Sequence, residues 1–110
     1  MSNTEIPLLD ELKDLKENLE LEAQSKFKQS SKQELQEFIK RRNILSIQIT
    51  QIENQRLSGI GDKLKEIEPQ LKESMDNLNF QIAEANNTVE ILNRLNIITS
   101  LLSNVTKLIL

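Results

Sequence analysis

Three pairs of carboxylates sit close enough along the chain to act together: Glu17 with Glu20, Glu34 with Glu37, and Glu66 with Glu68. Paired acids are what acid–base work or a divalent cation would need. Nothing that would complete such a site accompanies them. The chain has no His, Cys, Tyr or Trp, so the usual base near neutrality, the soft metal ligands and the usual cofactor platforms are missing together. No Glu-x-x-His motif is present, as a di-iron bundle would require. The segment LSGIGDK, residues 57–63, has two glycines and a lysine but lacks the G-x-x-x-x-G-K-[ST] spacing that wraps phosphates. These residues predict a turn there and solvated acids on helix faces, with no catalysis, no cofactor and no metal.

Asparagine is the other residue type with something to offer a ligand. Asn77, Asn79, Asn86, Asn87, Asn93, Asn96 and Asn104 crowd into a stretch where formal charge nearly vanishes. Each costs a helix a few tenths of a kcal/mol relative to Ala, and each supplies a side-chain amide able to hydrogen-bond a docked partner.

The elements that hold these residues are organised around the C-terminal run that begins at Ile91. Ile91, Leu95, Ile98, Leu102, Val105 and Ile109 recur at alternating steps of four and three, which is one stripe of an α-helix. Leu92, Ile97, Leu101 and Leu108 fall beside or behind it. A helix apolar over so much of its circumference must be covered, either between helices of one bundle or by a partner.

Composition agrees. Leu, Ile, Glu, Gln, Lys and Asn dominate, and Phe27, Phe38 and Phe80 are the only aromatic residues. Such a chain suits thin helical assemblies in which side chains fill seams between cylinders. Fourteen basic and 17 acidic residues give a net charge of −3, which gathers no nucleic acid. Acids concentrate between Asp10 and Glu22 and bases between Lys26 and Arg42, as two faces able to pair across a bundle. The absence of Cys, and a start with no basic residue followed by an apolar stretch, point to the cytoplasm. Membrane insertion is disfavoured because Arg94 and Lys107 interrupt the C-terminal run.

Along the chain, residues 1–5 read as a disordered lead and 6–110 as one helical domain. Pro7 suits a first helical turn, and Leu8, Leu12, Leu15 and Leu19 predict a helix over about 6–29. Ser31 and Glu34 have the capping-box spacing. Leu35, Phe38, Arg42, Leu45, Ile49 and Ile52 then predict a helix over 31–57, with Arg42 snorkelling from its seam. Both glycines lie in the turn at 57–61. Asp62 caps a third helix, over 62–110, which breaks or kinks near Pro69, more readily starting at Pro69 itself. The fold class expected is all-α, an antiparallel helical hairpin or three-helix bundle with coiled-coil character.

Two stretches resemble FlgN-type flagellar export chaperones, small cytoplasmic helical proteins of type III export. KRRNILSIQITQIENQR, residues 40–56, is similar to the family's mid-chain pattern through Arg42, Leu45, Ile49, Ile52, Glu53, Gln55 and Arg56. LNRLNIITSLLSNV, residues 92–105, is similar to its Leu-Asn-x-x-Asn signature through Leu92, Asn93 and Asn96, followed by Leu101 and Leu102. The chain is shorter than is usual for the family and its glycines follow Arg56 closely. The resemblance implies that the C-terminal helix binds an amphipathic segment of an export client, with no nucleotide or metal.

The function expected from the residues themselves is a non-enzymatic interaction module. Its partner is another protein's helix or a second copy. The residues expected to hold that partner are Ile91, Leu92, Asn93, Leu95, Asn96, Ile98, Leu101, Leu102, Val105 and Ile109. A structural coiled-coil subunit and a membrane-surface helical protein are the alternatives.

Overall fold

Leucine spacing sets where the helical arms run, and a few polar residues set where they stop. The computed structural model describes residues 7–27, 30–54, 60–85 and 87–106. Helix α1 covers Pro7–Asn18, a π-helical turn covers Leu19–Ala23, and the short α2, Gln24–Lys26, completes the first arm. Helix α3 is Lys32–Asn54, and α4 is Ile60–Phe80, extended by a second π-helical turn, Gln81–Ala85. Helix α5 is Thr88–Thr106. The class is all-α, with no strand among the described residues.

Pro7 opens α1, where its missing N–H is not needed, and Asp10 sits in the first turn against the positive end of the helix dipole. The π turn follows from the spacing of the apolar residues. From Leu19 to Phe27 is a step of eight, which in a regular helix would swing Phe27 about 80° off the leucine stripe at 3.6 residues per turn. A π turn absorbs one extra residue and returns the ring to the core side, where Leu19 and Phe27 are both fully buried.

The chain breaks at Ser30–Ser31. The Glu34 N–H donates to Ser31 Oγ at 3.1 Å, the cap that the spacing predicts, and the Ser30 N–H donates to the Phe27 carbonyl at 3.1 Å. Across this turn the Phe27 and Phe38 rings stack with centroids 4.4 Å apart and planes at 18°. Half-buried Arg42 places its guanidinium over the Phe38 ring, 5.7 Å from the centroid.

The C-terminal half departs from the sequence reading. Pro69 neither starts nor ends a helix but lies inside α4. It is exposed, and so is Lys65, whose carbonyl would otherwise have received its N–H, so the missing bond falls on the water side and the helix carries it. Asp62 is in the first turn of α4 rather than at its cap. The division comes instead at Asn87, whose Oδ1 accepts the Glu90 N–H at 3.2 Å and whose carbonyl accepts the Ile91 N–H at 2.9 Å. One expected helix over 62–110 is therefore two. The expected lead at 1–5 and residues 57–59 of the glycine turn lie outside the described residues. So do 28–29 and 55–57, in the expected span of the first two helices, and 107–110 at the end of the third.

Four arms pack as a bundle, one more than the three of the sequence reading. The close neighbours are α1 with α3, α3 with α5, α5 with α4, and α4 with α1, so the consecutive helices α3 and α4 stand on a diagonal. Direction follows from the pairs between arms. Glu11–Lys72 and Asn18–Asn79 both advance by seven, so α1 and α4 run parallel. Lys13–Glu53 and Phe27–Phe38 run in opposite senses, so α1 and α3 are antiparallel. The interhelical ion pairs are exposed and each contributes about 0–1 kcal/mol. The core of leucine, isoleucine and the two stacked rings lies along the axis of a molecule extending 45 × 27 × 22 Å, each buried aliphatic contributing about 1.5–3 kcal/mol.

Candidate interaction surface

The ten residues expected to hold a partner divide into three groups. Ile91, Leu95, Ile98, Leu102 and Val105 are in the chain's own core, none more than 5% exposed, because α5 packs on both α3 and α4. Leu92 and Leu101 are half-buried at the edges of that core, Asn96 is half-buried, and Asn93 is exposed. Ile109 lies outside the described residues. The stripe that demanded a covering rod is thus covered by arms of the same molecule, and the surface left for a partner is the opposite side of α5.

One flank of α5 is covered by α3. Gln48, fully buried, donates from Nε2 to the Thr99 carbonyl at 2.9 Å and ties the two helices side by side. Thr99, also fully buried, turns its hydroxyl back to the carbonyls of Leu95 and Asn96, each at 3.1 Å, and Thr106 does the same to Leu102 at 3.1 Å. Hydroxyls satisfied within their own helix do not need water. The amide oxygens are treated differently: Gln48 Oε1, Gln51 Oε1 and Asn96 Oδ1 are buried and accept no hydrogen bond from the chain. A buried acceptor without a donor costs about 1–3 kcal/mol. Replacing Gln48 by Met is therefore expected to leave stability unchanged or raise it by about 1 kcal/mol, read as an equal or higher denaturation midpoint in urea; a clear loss would mean that the amide anchors the seam.

The two segments joined at this seam share a property that neither shows alone. Residues 43–52 of α3 and 95–106 of α5 contain no charged side chain, in a chain that is 28% charged overall. Ile47 on α3 is 49% exposed with Ile44 half-buried near it, and Ile97 on α5 is 40% exposed with Leu101 half-buried near it. Ile97 stands about 160° round its helix from Thr99, the residue that meets α3, so the two isoleucines are on separate faces. A shallow concavity of about 300 Å³ runs along α5 between Asn96, Ile97, Ser100, Leu101 and Asn104. Sequence reasoning did not name Ile44 and Ile47 as candidates, because periodicity on α3 marks the core stripe and says nothing of the residues beside it. The signal that finds them is the coincidence of two charge-free segments on neighbouring helices.

The opposite side of the molecule is charged. Asp10, Asp14 and Glu17 on α1 and Glu73 and Asp76 on α4 are exposed, while Lys13 and Lys72 on the same two helices are each engaged by a carboxylate, of Glu53 and Glu11. The grooves flanking α1 are lined by such groups, one by Lys16, Glu17, Glu20 and Glu53 and the other by Glu11, Asp14 and Asp76. Of the acid pairs, Glu20 meets Lys16 at 3.2 Å and Glu37 meets Arg41 at 2.9 Å. Among the described residues no three carboxylates converge as a cation would require. No described helix is long and apolar enough to cross a membrane.

The asparagines are put to several uses. Asn87 caps α5, Asn18 Nδ2 donates to Asn79 Oδ1 at 2.8 Å between α1 and α4, and Asn77 accepts from Gln81 at 3.4 Å. Asn93 and Asn104 are exposed and Asn96 half-buried on α5. No family model matches this chain, and neither does any curated protein or solved structure.

Proposed function

We propose that the chain is a non-enzymatic, cytoplasmic interaction module, a four-helix bundle that docks a protein partner on the outer, charge-free face of α5. The observation that carries this reading is the charge-free run 95–106 of α5, which exposes Ile97 beside a concavity lined by Asn96, Ser100, Leu101 and Asn104. Single exposed apolar residues are ordinary on any surface, and Leu21, Phe80 and Val89 are exposed here as well. An exposed aliphatic within a twelve-residue helical stretch free of charge is not ordinary in a chain that is 28% charged, since interface centres are depleted of charge in the same way.

The export-chaperone reading is a special case of this one, in which the partner is an amphipathic segment of a client. One observation favours it. The two stretches that carry the resemblance, residues 40–54 of α3 and 92–105 of α5, are the ones that pack side by side through Gln48 and Thr99.

A photo-reactive amino acid placed at Ile97 or at Glu17, with the full chain expressed in its source cell, tests the face. A discrete covalent adduct is expected from position 97 and none from position 17. Adducts of equal strength from both, or none from position 97, would count against the reading.

A further inference from the structure

Of the three aromatic rings, Phe27 and Phe38 stack in the core, while Phe80 stands 55% exposed at the end of α4. Its surroundings set it apart from the other exposed apolar residues. Phe80 follows Asp76 by four residues, about one helical turn, so ring and carboxylate are neighbours on the surface of α4. It also follows Asn79 directly, and Asn79 is bonded across to Asn18 of α1. Asp76 and Asn79 both line the groove between the parallel helices α1 and α4, a concavity of about 440 Å³, and the ring stands at its rim.

Glu11, Asp14 and Asp76 line this groove beside buried Leu15 and Met75, with no base among its lining residues. Lys72 meets Glu11 at 3.6 Å, which leaves Asp14 and Asp76, one on each wall, without an ion pair among the described residues. Uncompensated carboxylates attract a cation, and so does the face of an aromatic ring. A guanidinium answers both, because it is planar, forks onto a carboxylate and stacks on a ring, whereas a lysine ammonium is a point charge. The chain makes the ring contact within itself, where the Arg42 guanidinium lies over Phe38, also four residues away. An anionic lipid, a nucleic acid or a second copy of this acidic chain would bring like charge to the same carboxylates.

We propose that the α1–α4 groove docks an arginine-bearing segment of a basic protein partner, with a guanidinium seated against Asp76 and the Phe80 ring and a further base toward Asp14. This surface is separate from the outer face of α5. Glu17 lines the groove on the other flank of α1, against α3, and lies outside it.

Amide NMR of the full chain tests it, in titrations with a short peptide of alternating arginine and alanine and with its lysine and glutamate counterparts, at about 0.1 M salt. With the arginine peptide the signals of Asn18, Asp76, Asn79 and Phe80 are expected to shift together, and those of Glu17 and Ile97 to stay. The lysine peptide is expected to bind about two- to fivefold more weakly, and the glutamate peptide not at all. Phe80→Leu is expected to remove the preference for arginine, and Asp76→Asn to weaken both basic peptides about two- to fivefold. Both side chains are exposed, so the thermal melts of these variants are expected to match the parent's. Glu90→Gln, which takes one carboxylate from α5 instead, is expected to leave peptide binding unchanged. Equal affinity for the arginine and lysine peptides, shifts spread over the whole surface, or no shift at about 1 mM peptide would overturn the proposal. Shifts at Phe80 with phosphatidylcholine vesicles and none with the peptides would give the surface to a membrane and overturn it as well. None of these readings depends on an adduct at position 97, so the two surfaces stand or fall separately.

Discussion

Replacing Leu95, Ile98 and Leu102 together by serine is expected to unfold the chain. All three are fully buried, on the helix that packs against both α3 and α4. Truncating one such aliphatic costs about 2–5 kcal/mol through lost burial and the cavity left behind. Serine can return its hydroxyl to a carbonyl of its own helix, as Thr99 does, so the polar atom adds little, but it fills almost none of the volume. Three losses of that size match or exceed the about 5–15 kcal/mol that hold a domain together. Far-UV circular dichroism is expected to show loss of most helicity at room temperature. A helical but monomeric triple variant would show instead that α5 is a detachable rod whose stripe serves a partner. Ile97→Glu provides the contrast: Ile97 directly precedes buried Ile98 on the same helix but lies on its outer face, so the change is expected to leave the fold intact.

That contrast shows what was legible in the residues and what was not. The alternating steps from Ile91 to Val105 predict a stripe that must be covered, and all five residues of it are buried. Periodicity reports that a face is covered and is silent on whose helix covers it. The tie between α5 and α3 passes through Gln48 and Thr99, 51 residues apart, and no local pattern announces it. The start of α1 at Pro7 and the cap at Ser31 were readable because each depends on residues within one helical turn.

Pro69 and Asn87 show the same limit from the other side. Proline is the stronger helix breaker by intrinsic preference, yet α4 runs through it, since an exposed position leaves the lost hydrogen bond to water. Asn87 is one of seven asparagines in that region and its local signal is no stronger than its neighbours'. It becomes a cap because Ile82 and Ile91, both buried, must face one core from two helices that pack against each other, and the chain has to turn between them. The pairing of two uncharged segments has the same origin: residues 43–52 and 95–106 become neighbours only when the bundle sets α3 beside α5.

Phe38→Ala is expected to be the most damaging single substitution in the first hairpin. The ring is fully buried, stacks on Phe27 at 4.4 Å and carries the Arg42 guanidinium on its face. Removing it costs about 3–5 kcal/mol in burial and cavity, and strips Phe27 and Arg42 of this ring contact at once. For a chain of this length about 4–8 °C of melting temperature follow each kcal/mol, so a drop of about 12–40 °C is expected. Phe38→Leu keeps most of the volume and loses the stacking, and its melt should lie much closer to that of the parent. Phe27→Ala, alone and combined with Phe38→Ala, then isolates the ring pair, whose coupling beyond simple burial is expected at about 0.5–1.5 kcal/mol. Losses that add with no coupling would mean that the two rings fill space independently. In that case the turn at Ser30–Ser31 is held by the Ser31 cap and the leucine seam of α1 and α3, and the Phe27–Phe38 stack follows from that closure rather than producing it.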